Sequence, residues 1–415
     1  MTAQMLAQAR ASWRSGDLGL GLSYTEAATL TTCDRCGEPC ALHARLQQAL
    51  LYTLIRRTGA AQQIIDEVRA SPALVEHRKS AAIATLVEAK IKLANGDIAG
   101  AASQSKIGMQ LANEAHQTTW TPLGNAILAT TALRCGELLK SIHHANQLKE
   151  DAVFGREIVP TGQAMWIVIQ IAEAEKGPEQ AASLAGKVLE SEAAVCSLLA
   201  DEPAAIPWLV RLLIGQGQTD LAGCGVQLSE RVATENPDIP ELRAAAAHAA
   251  GLLARDVEKL RLAAEAHTDP WARALAIEDI GLVLAEDDEG NPEAVRNLDL
   301  AMRSFAEMGS LRDSLRVRSK LRGIKSNPDP QARFWPSSGV RGLTDTEYAV
   351  ARLVSIGLTN GQAAAQMFLS RHTVAFHLRK IFQKIGVKSR LELAVMWNEL
   401  ADGMHGDSGS PSCPS

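Results

Sequence analysis

Two stretches of this chain gather side chains that do chemistry. The first is Cys33-x2-Cys36-x3-Cys40-x2-His43, three thiols and one imidazole within eleven residues. Soft sulfur with borderline nitrogen suits tetrahedral zinc, and three thiolates also suit an iron–sulfur centre. Pro39 is a good first residue for a helix, so Cys40 and His43 fall one turn apart on one face, with Cys33 and Cys36 in the preceding loop. The three-residue gap between the pairs is shorter than in zinc fingers and strains closure around one ion. A redox-active thiol pair is a second reading, and ordinary loop cysteines a third. The other stretch runs from Ser370 to Arg390. It sets Arg371, Arg379, Lys380, Lys384, Lys388 and Arg390 among Thr373, Ala375, Phe376 and His377. Cations and hydroxyls at helical spacing bind phosphate oxygens, Arg reads guanine edges, and Phe touches a thymine methyl.

Enzyme chemistry finds no comparable foothold. The only Gly-Lys pair, Gly186-Lys187, is followed by Val188, so no Gly-x-x-x-x-Gly-Lys-Ser/Thr loop exists to cradle a nucleotide. No Ser/His/Asp set, Gly-rich loop or carboxylate pair stands out, and the expectation is a protein that is not an enzyme. His143-His144 are helix neighbours that do not share a face and read as solvated polar residues. Trp120, Trp166, Trp208 and Trp271 recur about once per repeat and read as core, with an effector-pocket lining as the alternative.

The basic stretch needs a helix to present it, and local signals supply a small helical domain. Thr344-x-x-Glu347, Thr359-x-x-Gln362 and Ser389-x-x-Glu392 are capping boxes, Ser370 is a further N-cap, and Gly357 and Gly386 follow two helix ends. The spacing predicts helices over 345–356, 360–367, 371–385 and 390–400. In the third, Val374, Leu378, Ile381 and Ile385 form one buried stripe, and the basic residues take the other side. The second and third helices, joined by Phe368-Leu369-Ser370, form a helix-turn-helix.

Leu343-Thr344-x-x-Glu347, Gly357-Leu358-Thr359-Asn360, Ser370-x-x-Thr373-Val374-x-x-His377 and Lys384-Ile385-Gly386-Val387-x-Ser389-Arg390 together resemble the LuxR-type DNA-binding domain. The resemblance implies a four-helix domain that binds double-stranded DNA as a homodimer, with its third helix in the major groove. It implies DNA contacts from Thr359, Asn360, Ser370, Arg371, Thr373, Ala375, Phe376, His377, Arg379, Lys380, Lys384, Lys388 and Arg390. It also implies pairing of protomers through Leu391, Ala394, Val395 and Asn398. The chain departs from the family pattern at Ala375, where a Lys is usual, at Gly361, where a basic residue is common, and at Ala363 in place of Ile. Losing a groove cation weakens binding and lowers its salt dependence, and shifts weight onto Phe376 and Arg379.

Upstream, turn signals recur at Gly16, Gly59, Gly96, Gly136, Gly177, Gly217, Asp256 and Gly290, 34 to 43 residues apart and flanked by Ala- and Leu-rich stretches. A period near forty made of helix, turn and helix is a helical solenoid, whose hairpins must stack to bury their apolar faces. Eight such hairpins fill residues 1 to about 322, and the pattern resembles degenerate tetratricopeptide repeats. Asn327-Pro328-Asp329-Pro330 then breaks the helix. The expected fold is all-α: a repeat unit over 1–324, a linker over 325–341, a LuxR-type domain over 342–401 and a disordered tail over 402–415.

Charge separates the same regions. The 415 residues carry a net −5, which resolves into −8 over 1–330 and +3 over 331–415. An acidic array beside a basic head suits two jobs. The arrangement resembles the later parts of the large ATP-dependent LuxR regulators without their nucleotide-binding domain. It implies a transcription regulator whose repeats arch into a concave surface and sense a protein or small-molecule effector, or serve only to dimerise. RNA polymerase is a further partner. The rival reading is a helical-repeat scaffold with weak DNA binding. Seven cysteines are too few for a disulfide framework, and no secretion signal or apolar run of membrane length is seen, so a cytoplasmic location without a membrane partner is expected. The metal reading predicts one zinc, or one iron–sulfur centre, per chain in protein purified without oxygen. Elemental analysis finding neither metal in stoichiometric amount removes it.

Overall fold

The computed structural model describes residues 1–31, 38–72, 74, 77–116, 118–153, 161–288, 291–325, 343, 345–355, 358–360, 363–364, 371–390, 392–394 and 396–397. No strand occurs among the described residues, and no helix there is long and apolar enough to cross a membrane. The chain divides into two compact units, Met1–Lys325 and Ser326–Ser415.

The first unit is a chain of helical hairpins: α1 (Thr2–Ser15) with α2 (Leu18–Leu30), α3 (Glu38–Leu54) with α4 (Thr58–Ala70), α5 (Arg78–Ala94) with α6 (Ile98–Glu114), and α7 (Thr121–Arg134) with α8 (Leu138–Val153). It continues through α9 (Thr161–Lys176), α10 (Pro178–Leu189), α11 (Glu192–Asp201), α12 (Ala205–Gly215), α13 (Thr219–Glu235), α14 (Pro240–Ala254), α15 (Val257–Ala266), α16 (Pro270–Asp287), α17 (Pro292–Glu307) and α18 (Leu311–Lys325). The starts are capped as their residue types dictate. Asp17, Asp97, Ser191, Asp256, Asp269 and Asn291 each accept a backbone N–H from the first turn. Pro178, Pro240, Pro270 and Pro292 occupy first-turn positions where their missing donor costs nothing. The inner helices are buried on more than one side, and in α7 every residue from Pro122 to Arg134 is buried.

The turns follow the forty-residue rhythm with two departures. Gly16, Gly96, Gly136, Gly177 and Gly217 have positive φ, as a left-handed turn residue should. Gly59 does not make its turn: it lies inside α4, and Arg56 adopts the left-handed conformation with φ 65°. Arg56 bears that strain because its guanidinium is bound on three sides, as described below. Gly290 lies outside the described residues. The second departure falls between Gly177 and Gly217, where three helices replace two. Pro203 forbids helical geometry to its predecessor, so α11 stops at Asp201 and Glu202 takes φ −143° and ψ 80° before α12 begins.

That interruption aims Glu202 into the interior. Arg56 donates to its Oε2 at 2.6 Å, and Lys90 Nζ donates to Oε1 and to Gln163 Oε1, the latter at 3.0 Å. Arg56 also donates to Asp269 at 2.7 Å and to the Leu54 carbonyl at 2.7 Å. Burial alone would raise the Glu202 carboxyl, but Lys90 and Arg56 outweigh it and hold it below the usual carboxylate range. The bonds of Arg56 and Lys90 to Glu202, and of Arg56 to Asp269, join parts of the chain more than a hundred residues apart. Others do the same: Asn236 binds the Gly16 carbonyl at 2.8 Å and the Leu18 N–H at 2.9 Å, Arg57 donates to the Asp238 carbonyl at 3.0 Å, and Arg312 pairs with Glu173 at 2.8 Å.

The array is thus wound onto itself, and its interior is not an open concave surface. Trp166, Trp208 and Trp271 meet edge to face there, with centroids 6.5 and 5.5 Å apart, and Phe305 follows. A second buried polar chain runs Glu241–His267–His248–Asp279 at 2.6, 3.3 and 2.9 Å. The tryptophans read as core are core, Trp120 included. Of the two adjacent histidines, His143 is exposed as read, whereas His144 is half-buried against Asn125 at 3.2 Å. Glu202→Gln is expected to destabilise the repeat unit by about 3–5 kcal/mol, because it leaves Arg56 and Lys90 buried against a neutral amide. Urea denaturation of the full chain measures this, and an unchanged midpoint would remove the central role given to this carboxylate.

Candidate nucleic-acid interface

The second unit contains α19 (Asp345–Ser355) and α20 (Arg371–Ile385). Residue 360, residues 363–364 and residues 390, 392–394 and 396–397 are also helical, and the remainder of the expected second and fourth helices lies outside the described residues. The core of the unit is the expected stripe. Val374, Leu378, Ile381 and Ile385 are buried with Val350, Ala351, Val354, Ala363, Ala364 and Leu393. Leu358 N–H donates to the Leu353 carbonyl at 3.2 Å, a bond that closes the end of α19. Gly386 ends α20 with φ 75°.

With the stripe buried, the opposite side of α20 faces solvent. Arg371, Phe376, Arg379, Lys380, Gln383 and Lys384 are exposed, and Thr373, Ala375 and His377 are half-buried. Arg371, Ala375, Arg379 and Gln383 stand four residues apart in one row, which Phe376 and Lys380 flank. Phe376 is 51% exposed, unusual for so large an apolar ring, and the Lys380 ammonium sits 4.6 Å from its centroid. A cation on the ring face holds the phenyl in place while leaving its edge free. Among the described residues, His377 Nδ1 is buried with no hydrogen-bond partner.

Two cations expected on DNA are engaged within the unit. Lys384 donates to Glu347 at 2.6 Å, and Glu347 is 3% exposed. This pair ties α19 to α20, so Lys384 is a structural contact within the unit. Arg390 donates to Asn360 Oδ1 at 3.1 Å and also to the Leu358 carbonyl. It thereby fixes the segment bearing Thr359, which is exposed, and Asn360, which is half-buried. Sequence spacing gives no warning of either contact, since the partners lie thirty or more residues apart.

The caps are partly as expected. Ser389 Oγ accepts from Glu392 N–H at 3.1 Å, and the Glu392 carboxylate returns to the backbone, but to Lys388 N–H, one residue early, at 2.7 Å. Lys388 is exposed. Thr344, Gln362 and Ser370 lie outside the described residues, as do Leu391, Val395 and Asn398 of the expected dimer surface; Ala394 is half-buried. In the first unit, Cys33 and Cys36 lie outside the described residues. Cys40 is half-buried, and His43 stands edge-on to Trp120 with centroids 6.0 Å apart, its imidazole lowered by burial and by Arg10.

Comparison with known proteins agrees with this geometry. Residues 341–397 match the profile of the family described as bacterial regulatory proteins, luxR family (GerE). The chain carries a LuxR-family helix-turn-helix domain. It is 34% identical over 112 residues to the DNA-binding transcriptional activator DevR/DosR of Mycobacterium tuberculosis, covering 26% of this chain and 47% of that protein. It is 44% identical over 57 residues to a nitrate/nitrite response regulator homologue of Haemophilus influenzae, covering 14% of this chain and 27% of the relative. A Mycobacterium bovis protein named as an HTH-type transcriptional regulator is 29% identical over 191 residues, 44% of this chain and 20% of that one. The chain therefore spans less than half the length of these relatives.

In the LuxR-type unit, Lys384→Met should leave Glu347 short of its cation. The expected cost is about 2–3 kcal/mol, less than for a fully buried pair because Lys384 is partly exposed. Hydrogen exchange across residues 371–385 of the full chain reads it as faster exchange. Wild-type protection would show that the pair holds nothing.

Proposed function

We propose that this protein is a sequence-specific DNA-binding transcription regulator. The observation that carries the reading is the solvent-facing side of α20, where Arg371, Arg379 and Lys380 surround an exposed Phe376 on a helix whose other side is the core of a LuxR-family domain. The major groove admits one helix, and its edges offer Arg379 a guanine and Phe376 a thymine methyl. Arg371, Thr373 and Lys388 contact phosphates and set the register. Arg390 and Lys384 act through the residues they hold. Ala375 leaves the centre of the helix without a cation, so specificity there rests on shape and apolar contact.

Two copies bind a two-fold operator, paired through the helix that contains Ala394. The repeat unit senses a partner or effector in the cytoplasm and alters dimerisation or DNA access, and the reading contains no catalytic step. The acidic repeats are repelled by DNA, which leaves the basic unit alone to approach it.

A gel shift on the DNA upstream of the protein's own gene tests the reading. Arg379→Ala should cost about 1–3 kcal/mol and relax the sequence preference at one position, whereas Lys380→Ala should weaken all sequences alike and reduce the salt slope by about one. If the full chain shows no preference for any promoter fragment over random DNA, the protein is an interaction scaffold with weak DNA binding.

A further inference from the structure

Two imidazoles meet inside the repeat unit, and their partners fix how many protons they hold. His248 on α14 and His267, which caps the end of α15, are 0% and 4% exposed. Glu241 Oε1 accepts from His267 Nδ1 at 2.6 Å, and its Oε2 accepts from the Thr268 N–H at 2.8 Å and the Thr268 hydroxyl at 2.7 Å. Burial would raise the Glu241 carboxyl, but the bonds to His267 and Thr268 and the charges of His267 and Arg56 bring it down to about 2. Burial would raise Asp279 too, but Arg211, which donates to its Oδ1 at 3.2 Å, and His248 hold it below the usual carboxylate range. An ionised carboxylate can only accept. His267 Nδ1 and His248 Nε2, the latter 2.9 Å from Asp279 Oδ2, must therefore both donate.

The two remaining nitrogens, His267 Nε2 and His248 Nδ1, face each other at 3.3 Å. Two neutral rings would set lone pair against lone pair, and two imidazoliums would set hydrogen against hydrogen. One proton between them makes an N–H···N bond, so the two rings hold three protons and one positive charge. That charge belongs on His267. Among the described residues Glu241 takes its ion pair from this ring, whereas Asp279 is already paired with Arg211. His248 is left neutral, because burial, His267 and Arg211 lower its imidazole more than Asp279 raises it. The other charges around the pair are Glu278 beside Asp279, Arg316 and Lys320 from α18, and Arg56 from the turn after α3. Among the described residues, no charged group of α13 or α15, which also pack on α14, pairs with either ring.

We propose that this histidine pair is a proton-controlled latch within the repeat unit. With three protons it ties α14 to the α15–α16 turn and to α16, and a fourth proton, on His248 Nδ1, removes the acceptor of His267 and breaks the tie. An unfolded chain takes up that fourth proton near the ordinary imidazole value of 6.5, whereas the folded chain resists it. Opened states thus bind more protons as the solution becomes acidic. The stability that His248 contributes above about pH 6.5 is lost as pH falls from there through its lowered folded value. As a sensing device the latch rests on the role proposed above for the repeat unit, whereas the latch itself does not.

The test follows the full chain from about pH 7.5 to about pH 5.5 by urea unfolding, hydrogen exchange and nitrogen-15 spectra of the histidine rings. At the upper pH the spectra should show one buried ring with both nitrogens protonated and another with its proton on Nε2. Below about pH 6.5 the unfolding constant of wild type should rise about tenfold per pH unit relative to that of His248→Gln, whose amide offers His267 an acceptor and takes up no proton. His43 and His144, also lowered by burial, and Asp201, raised by it to about 7, act alike in both proteins and cancel. Exchange over α14–α16 should quicken by the same factor beyond its intrinsic pH dependence. If His248→Gln does not fold, the wild-type ring spectra decide. The latch is overturned if both rings are neutral or both charged at the upper pH, or if wild type and His248→Gln share one pH slope. It is overturned also if zinc raises Tm and a chelator lowers it, which would put a metal ion rather than a proton between the rings. A gel shift at both pH values separates the two ideas: the expected spectra and slopes with a DNA affinity whose pH response His248→Gln shares refute the sensing role and leave the latch standing.

Discussion

A single buried carboxylate organises the repeat unit. Glu202 faces inward because Pro203 ends α11 beneath it, and it draws Arg56 and Lys90 from helices that precede it by more than a hundred residues. A charge so far from water must be matched, or its desolvation would outweigh much of the marginal stability of a folded chain. The early hairpins must therefore close against the later ones. The left-handed conformation of Arg56, a residue with no intrinsic preference for it, follows from the same requirement, because any other turn geometry would take the guanidinium away from its three acceptors.

Winding the array in this way changes what its inner side can do. Tetratricopeptide-like arrays are commonly pictured as open arches that clasp extended partners. Here the inner side is filled with indoles and paired charges, so it is core rather than a clasp for an extended partner. Glu278 takes Arg211, Arg316 and Lys320, and Arg211 and Arg316 pair also with Asp279 and Asp313.

The LuxR-type unit works with far fewer residues and shows the same economy of charge. Its exposed helix carries several cations, yet the contacts divide them into two kinds. Arg371, Arg379 and Lys380 remain on the solvent face, whereas Lys384 and Arg390 hold the unit together. The Lys380–Phe376 stack matters because an exposed phenyl would otherwise sample several rotamers, and restricting it lowers the entropy lost on meeting a base edge.

Local rules made much of this legible in the sequence. Helix starts follow from Asp, Ser and Asn caps and first-turn prolines, most turns from glycines at a forty-residue period, and α20 from the i, i+4, i+7, i+11 stripe of Val374, Leu378, Ile381 and Ile385. These signals act within a few residues, so they can be read without knowing where the chain goes. Tertiary structure alone decided that Arg56 rather than Gly59 makes its turn, that Lys384 faces Glu347, that the arch is filled, and that Arg134 and Trp166 both pack on the Trp271 indole. Each of these depends on a partner some thirty to two hundred residues away. No local pattern encodes such a partner, because the energy that selects it, the matching of buried charge, exists only once distant helices have excluded water together.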